Sequence, residues 1–227
     1  MSDAMDSTSE LRSEHCPAYI LCGGQSARFG TDKARVRINQ QPHLLRLANM
    51  LNDQGHKVHF VAGRKDRFLD LGIQTIVDAQ PECGPMAGLV SAAQHCIAAQ
   101  HFIANQDCVA NQAATQNTGW FLLVSCDQLY WQSTYFHALA KRVNQDLMAI
   151  TYCDPELQPI PGLYHTQIEA LASQALAQRQ LSLKRLLESL NEAVVSFNDP
   201  ENPRAWCFNS ETELKALLGP LGLKFEK

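Results

Sequence analysis

The chain has 227 residues, 45% of them apolar, and a formal net charge of −4. That length suits one well-buried domain, and the acidic balance argues against a general nucleic-acid binder, which carries basic excess. Residues 1–16 are polar and acidic, without the basic start and apolar stretch of a secretory signal, and no run approaches the ~20 apolar residues of a membrane span. The expectation is therefore a cytoplasmic protein that engages neither nucleic acid nor membrane, with residues 1–16 a disordered tail and 17–227 one domain. Eight cysteines are scattered with no Cys-x-x-Cys pair, which fits a reducing compartment better than a zinc site or disulfide framework.

In chain order, the apolar run Ala18–Cys22 enters Gly23-Gly24 and predicts a buried strand ending in a tight loop. Leu44, Leu47, Ala48 and Leu51 have helical spacing, and the segment 53–55 stops that helix. Residues 58–62 and 73–77 predict two more strands, the second ending at Asp78. Leu89, Val90, Ala93 and Ile97 mark a helix behind Gly84-Pro85, and the polar stretch 100–118 reads as a surface insertion. Residues 120–125 (WFLLVS) predict a fully buried strand. Leu139 and Val143 predict a helix, 147–152 a strand, Leu183, Leu186, Leu187 and Leu190 a helix, and 194–197 a last strand. Alternating strands and helices imply an α/β fold with a mostly parallel sheet covered by helices, whose ligand site lies beyond the carboxyl ends of the strands. Gly23–Lys33, Asp78 and Asp127 fall there. Arg64, Lys65 and Arg67 read as a solvated basic face.

The segment from Leu21 and Cys22 through Gly23, Gly24, Ser26, Arg28, Gly30 and Asp32 to Lys33 is the richest in chemistry. Adjacent glycines after a strand let backbone N–H groups approach an anion. Ser26 adds a hydroxyl, while Arg28 and Lys33 add two cations suited to a polyphosphate. No Gly-Lys-Ser/Thr follows, and the glycines do not alternate, so this is neither a Walker A loop nor a dinucleotide fingerprint. Asp127, ending the 120–125 strand, is suited to Mg²⁺, which takes one or two carboxylates plus phosphates. Its other reading is a helix cap.

The order and spacing of this segment resemble the Leu-Ala-Gly-Gly-x-Ser-x-Arg-Met-Gly-x-Asp-Lys signature of the molybdenum cofactor guanylyltransferase family, with Cys22 for Ala and Phe29 for Met. Asp78 followed by Gly84-Pro85-Met86-Ala87-Gly88, then Cys126-Asp127, resembles the family's next two motifs. Leu129 stands where the family has Pro. Residues 158–164, Ser182-Leu183-Lys184-Arg185-Leu186-Leu187 and Trp206-Cys207-Phe208-Asn209-Ser210 resemble its later segments, with Cys207 for an Asn.

The resemblance implies a single Rossmann-like three-layer αβα sandwich of the nucleotide-diphospho-sugar transferase type. It also implies transfer of GMP from GTP to the phosphate of molybdopterin, with release of pyrophosphate. Backbone groups of Leu21, Cys22, Gly23 and Gly24 would hold base and sugar. Ser26, Arg28 and Lys33 would grip the phosphates, Asp127 would ligate Mg²⁺, and Asp78 would face the guanine or the metal side of the pocket. Contact with other cofactor-biosynthesis proteins or molybdoenzymes follows from the same role. Two rival readings are a cytidylyl- or uridylyltransferase, acting on molybdopterin, a sugar phosphate or an isoprenoid alcohol phosphate, and a nucleotide-binding adaptor without turnover.

Overall fold

The computed structural model describes residues 11–24, 29, 32–106 and 119–226. The chain enters through β1 (Ala18–Leu21) and then forms a small hairpin, β2 (Arg37–Ile38) and β3 (Gln41–Pro42). Helix α1 (His43–Asn52) leads to β4 (Val58–Ala62) and β5 (Thr75–Val77), and α2 (Gly84–Gln106) follows. Next come β6 (Trp120–Ser125), α3 (Ser133–Ala140), β7 (Ala149–Cys153) and β8 (Leu157–His165). The chain closes with α4 (Ile168–Ala177), α5 (Leu183–Leu190), β9 (Val194–Phe197), α6 (Glu211–Leu218) and β10 (Phe225–Glu226).

The main sheet has the order β5-β4-β1-β6-β8-β7-β9. Among the described residues only β8 runs against the rest, pairing antiparallel with both β6 and β7. The pleat sends alternate side chains to opposite faces. Ala18 and Ile20 therefore join Leu122, Val124 and Ile150 on one face, beneath α1 (Leu44, Leu47, Leu51) and α3 (Phe136, Leu139). Tyr19 joins Val61, Phe121 and Leu123 on the other, beneath α2 (Met86, Leu89, Val90), α4 and α5. The result is the expected three-layer αβα sandwich.

A third, smaller cluster lies apart from both. Phe29, Val36, Ile38, Leu129, Phe208, Leu214 and Leu218 pack together, under a three-stranded sheet of order β10-β2-β3.

Two boundaries differ from expectation. Residues 11–16 are ordered: Leu11 and Cys16 are buried in the first core cluster, and Ser13 Oγ donates to Gln54 O at 2.6 Å. Two apolar side chains in an acidic stretch were enough to dock it. Helix α2 continues to Gln106, so the polar stretch begins as helix rather than insertion; Ala98, Ala99 and Gln100 are good helix formers. Residues 1–10 and 107–118 lie outside the described residues. No helix among the described residues is long and apolar enough to cross a membrane.

Candidate active site

Backbone pairing carries β1, β5 and β6 one residue past their ends before the chain turns away. Cys22 N donates to Val61 O (2.9 Å), Cys126 N to Leu21 O (3.0 Å) and Asp78 N to Ala62 O (3.0 Å). The carboxyl ends of β1, β4, β5 and β6 thereby surround one cleft of about 1010 Å³. Leu21, Gly23, Gly24, Lys33, Asp78 and Asp127 all line it, so six of the nine residues singled out in the sequence share its wall. Helix α2 starts at the same rim, with Gly84, Pro85 and Gly88 lining the cleft. Proline suits the first turn because its missing N–H is unpaired there anyway, and the positive end of the helix favours an anion.

Two of these glycines stand close to neighbouring groups that would have to shift for a side chain. A Cβ on Gly23 would stand 3.0 Å from Asp78 Oδ2 and 3.3 Å from Gly63 N. One on Gly88 would stand 2.7 Å from Leu21 Cδ2. Backbone thus forms the floor where a ligand would lie.

Of the other three expected residues, one lies away from the cleft wall and two lie outside the described residues. Cys22 is buried, and its thiol donates to Val61 O at 3.3 Å. Its side chain packs in the core because it follows the inward face of Ala18 and Ile20. Ser26 and Arg28 lie outside the described residues.

The charged groups are held by specific partners. Lys33 Nζ donates to Phe208 O (3.0 Å) and Asn209 Oδ1 (3.1 Å). Phe208 N in turn donates to Asp127 O at 3.1 Å. The main chain of a single residue therefore ties the cation near β1 to the backbone of Asp127 after β6. Asp78 is half-buried, and desolvation pushes its pKa up to about 6, with Arg67 pulling the other way.

Arg67 corrects an expectation, since it is not solvated. It lines the cleft, and its Nη2 donates to Gly24 O (2.8 Å) and Asp32 Oδ2 (3.0 Å). Arg64 remains largely exposed at the rim. No sequence signal separated these two arginines, because the partners of Arg67 lie 35 and 43 residues away.

Among the described residues, the cysteine thiols near the cleft are not poised as nucleophiles. Burial raises the Cys22 thiol well above its usual range and pushes Cys126 and Cys207 up to about 12, so all three are protonated near neutral pH. His43, fully buried against Phe208, is pushed down to about 3 by burial and by Arg46. What remains is a concave, glycine-floored site with fixed charges, suited to positioning a polyanion.

The family model for the MobA-like NTP transferase domain matches residues 18–194. The chain belongs to that family. A probable molybdenum cofactor guanylyltransferase of Flavobacterium johnsoniae is 20% identical over 90% of this chain and 97% of its own length. The molybdenum cofactor guanylyltransferase of Vibrio parahaemolyticus is 23% identical over 81% and 85%. A molybdenum cofactor biosynthesis bifunctional protein of Synechocystis is 28% identical over 60% of this chain, which spans only 35% of that protein. In fold, the chain is similar to molybdopterin-guanine dinucleotide biosynthesis protein A of Archaeoglobus fulgidus. That match has a TM-score of 0.71 at 17% identity, over 91% of this chain and 98% of the other. A Methanothermobacter nucleotidyl transferase superposes with a TM-score of 0.62 at 11% identity, over 91% of this chain and 98% of the other. The MobA-like match ends before Phe208 and Asn209, so their contacts with Lys33 and Asp127 lie outside the matched span.

Proposed function

We propose that this chain transfers GMP from GTP to the terminal phosphate of molybdopterin, releasing pyrophosphate. An acceptor phosphate oxygen forms the new bond to the α-phosphorus as the bond to the β-phosphate bridging oxygen breaks. The observation that carries this reading is the convergence of Gly23, Gly24, Lys33, Asp78 and Asp127 on one cleft at the carboxyl ends of the parallel strands. The names of relatives matched over most of their length, molybdenum cofactor guanylyltransferases, support this choice of base and acceptor.

In this reading the backbone floor at Gly23 and Gly24 receives base and sugar, with Asp78 beside it. Lys33, with Ser26 and Arg28 from the same sequence segment, grips the β- and γ-phosphates. The acceptor supplies its own nucleophile, so rate enhancement comes from orientation and fixed charge.

The donor set also fits Mg²⁺. The ion takes one or two carboxylates and fills its remaining positions with phosphates and water. Asp127 offers a partly exposed carboxylate on the cleft wall, and no cluster of three His, Cys, Asp or Glu ligands occurs among the described residues. Asp127 would hold the ion, whose charge when bound offsets that building on the phosphates. The seven free cysteines among the described residues agree with a reducing, cytoplasmic setting.

The test is pyrophosphate release across the four nucleoside triphosphates, with and without molybdopterin. Release only with GTP and molybdopterin together supports the proposal. Release with CTP, or with a sugar phosphate as acceptor, replaces it, and binding without release indicates an adaptor. Asp127→Asn should lower turnover roughly 10²–10³-fold, the effect of removing one preorganised charge stabiliser. Full turnover of that variant at saturating Mg²⁺ would remove Asp127 from the metal role.

A further inference from the structure

Helix α1 begins beside the turn that carries Asp127. Its first residue is His43, whose main-chain N–H is taken by Val36 O at 2.7 Å. One turn along the helix, Arg46 Nη1 donates to Leu129 O at 2.6 Å. The segment 203–208 fastens the same turn. Gln128 Nε2 donates to Pro203 O (2.8 Å), Leu129 N to Trp206 O (2.8 Å) and Phe208 N to Asp127 O (3.1 Å). Cys207 Sγ donates to Gln128 Oε1 at 3.2 Å. Polar groups of this turn are closely matched.

The imidazole of His43 is the exception. It is fully buried and edge-on to the Phe208 ring, 5.3 Å between centres. The main chain of Cys126 and of Gln128 borders it and favours N–H groups on the ring. Yet neither Nδ1 nor Nε2 has a hydrogen-bond partner among the described residues. Two buried unpaired nitrogens cost folding stability, and an aliphatic side chain of similar volume would fill the space without that cost. A polar group kept against local packing logic points to a functional demand. The two residues whose main chain it borders are the neighbours of Asp127 on either side.

We propose that His43 is a positioning residue for Asp127: its imidazole presents polar nitrogens to the main chain flanking that carboxylate and so fixes where the carboxylate meets Mg²⁺; the second half rests on the nucleotidyl-transfer reading above. In a dry interior an N–H attracts a carbonyl oxygen even when the geometry falls short of a full hydrogen bond. The ring acts through the backbone and touches no substrate.

Hydrogen exchange over the peptide 126–130 of the full-length protein, without ligands, reads the turn directly. In His43→Leu it should rise about tenfold, the scale of one lost polar contact, while exchange over 120–125 stays unchanged. The urea midpoint should equal or exceed that of the wild type, since no unpaired nitrogen remains. With GTP and molybdopterin, the Mg²⁺ concentration giving half-maximal pyrophosphate release should rise about tenfold, and KM for GTP should not change. His43→Asn keeps an N–H near the Nδ1 position and His43→Gln one near Nε2; one of the two should restore protection over 126–130. His43→Met, whose flexible side chain adapts to irregular spaces, is the second apolar variant and is read in the same way if His43→Leu does not fold.

Unchanged or slower exchange over 126–130 in the folded apolar variant overturns the proposal and leaves the ring a packing residue. So does a lower urea midpoint in both His43→Leu and His43→Met, which means that the ring nitrogens already contribute to folding. Faster exchange that neither amide variant reverses overturns it too. Faster exchange with an unchanged Mg²⁺ requirement removes the link to Asp127. If the wild type releases no pyrophosphate from any nucleoside triphosphate, the nucleotidyl-transfer reading fails, and the exchange data still decide the support of the turn.

Discussion

Asp78 sits where burial and charge oppose one another, and its titration can be followed. Its carboxyl, ordinarily near 3.8, is raised to about 6 in the fold, chiefly by desolvation. Between those values the unfolded chain ionises while the folded chain stays protonated, so stability falls as pH rises through the window. Asp78→Asn removes that cost. Its melting temperature should exceed that of the wild type above pH 6, and the gap should close below pH 4; a gap independent of pH would exclude Asp78 as its source. The neighbouring Gly23 leads to a second expectation. A methyl group there would crowd Asp78 Oδ2 at 3.0 Å and Gly63 N at 3.3 Å. Gly23→Ala should weaken GTP binding roughly tenfold or more, the scale of one misplaced methyl in a fitted pocket, as read by calorimetry. Gly23, Asp78 and Asp127 were legible in the sequence because each closely follows a strand, and Lys33 because it closes the motif that begins at Leu21. Arg67 and Phe208 were not, since their roles depend on partners reached only through folding.

Among the elements, short strands rich in apolar residues could be placed to the residue. β4, β6 and β9 match the runs 58–62, 120–125 and 194–197. The strands β2, β3 and β10, two residues each, carry no period to detect. The hairpin between the first two instead turns through Asn39 and Gln40, both at positive φ. β8 was visible only through its likeness to a family segment, because Pro159 and Pro161 argue against an interior strand. Its pairing explains the tolerance. The ladder to β7 steps from Thr151↔Gly162 to Tyr152↔Gln158, so both prolines fall within the irregularity. Gly162 resumes the pairing in a crowded place: a Cβ would meet Pro159 O at 2.9 Å and Thr151 Cγ2 at 3.0 Å. Gly162→Ala should lower unfolding stability by about 1–3 kcal/mol, measured by urea denaturation. An unchanged midpoint would mean that β8 relaxes at no cost.

At the scale of the whole molecule, two large cores hold the sandwich together and a third small one aligns its active cleft. Phe208 is fully buried in that third cluster, accepts from Lys33 and donates to Asp127. Phe208→Ala should cost about 3–5 kcal/mol on unfolding. Both hydrogen bonds come from the main chain of residue 208, which alanine keeps, so a fall in pyrophosphate release at temperatures where the chain stays folded would report loss of the ring packing that holds that backbone in place. Wild-type release from a folded variant would separate the brace from the chemistry.

The brace also sets an order of events. Lys33 leaves the ribosome long before Phe208, and β10, which pairs with β2, emerges later still. A nascent chain can assemble much of its sheet while its cation and carboxylate remain unaligned. The tie between Lys33 and the backbone of Asp127 therefore forms only once Phe208 is in place.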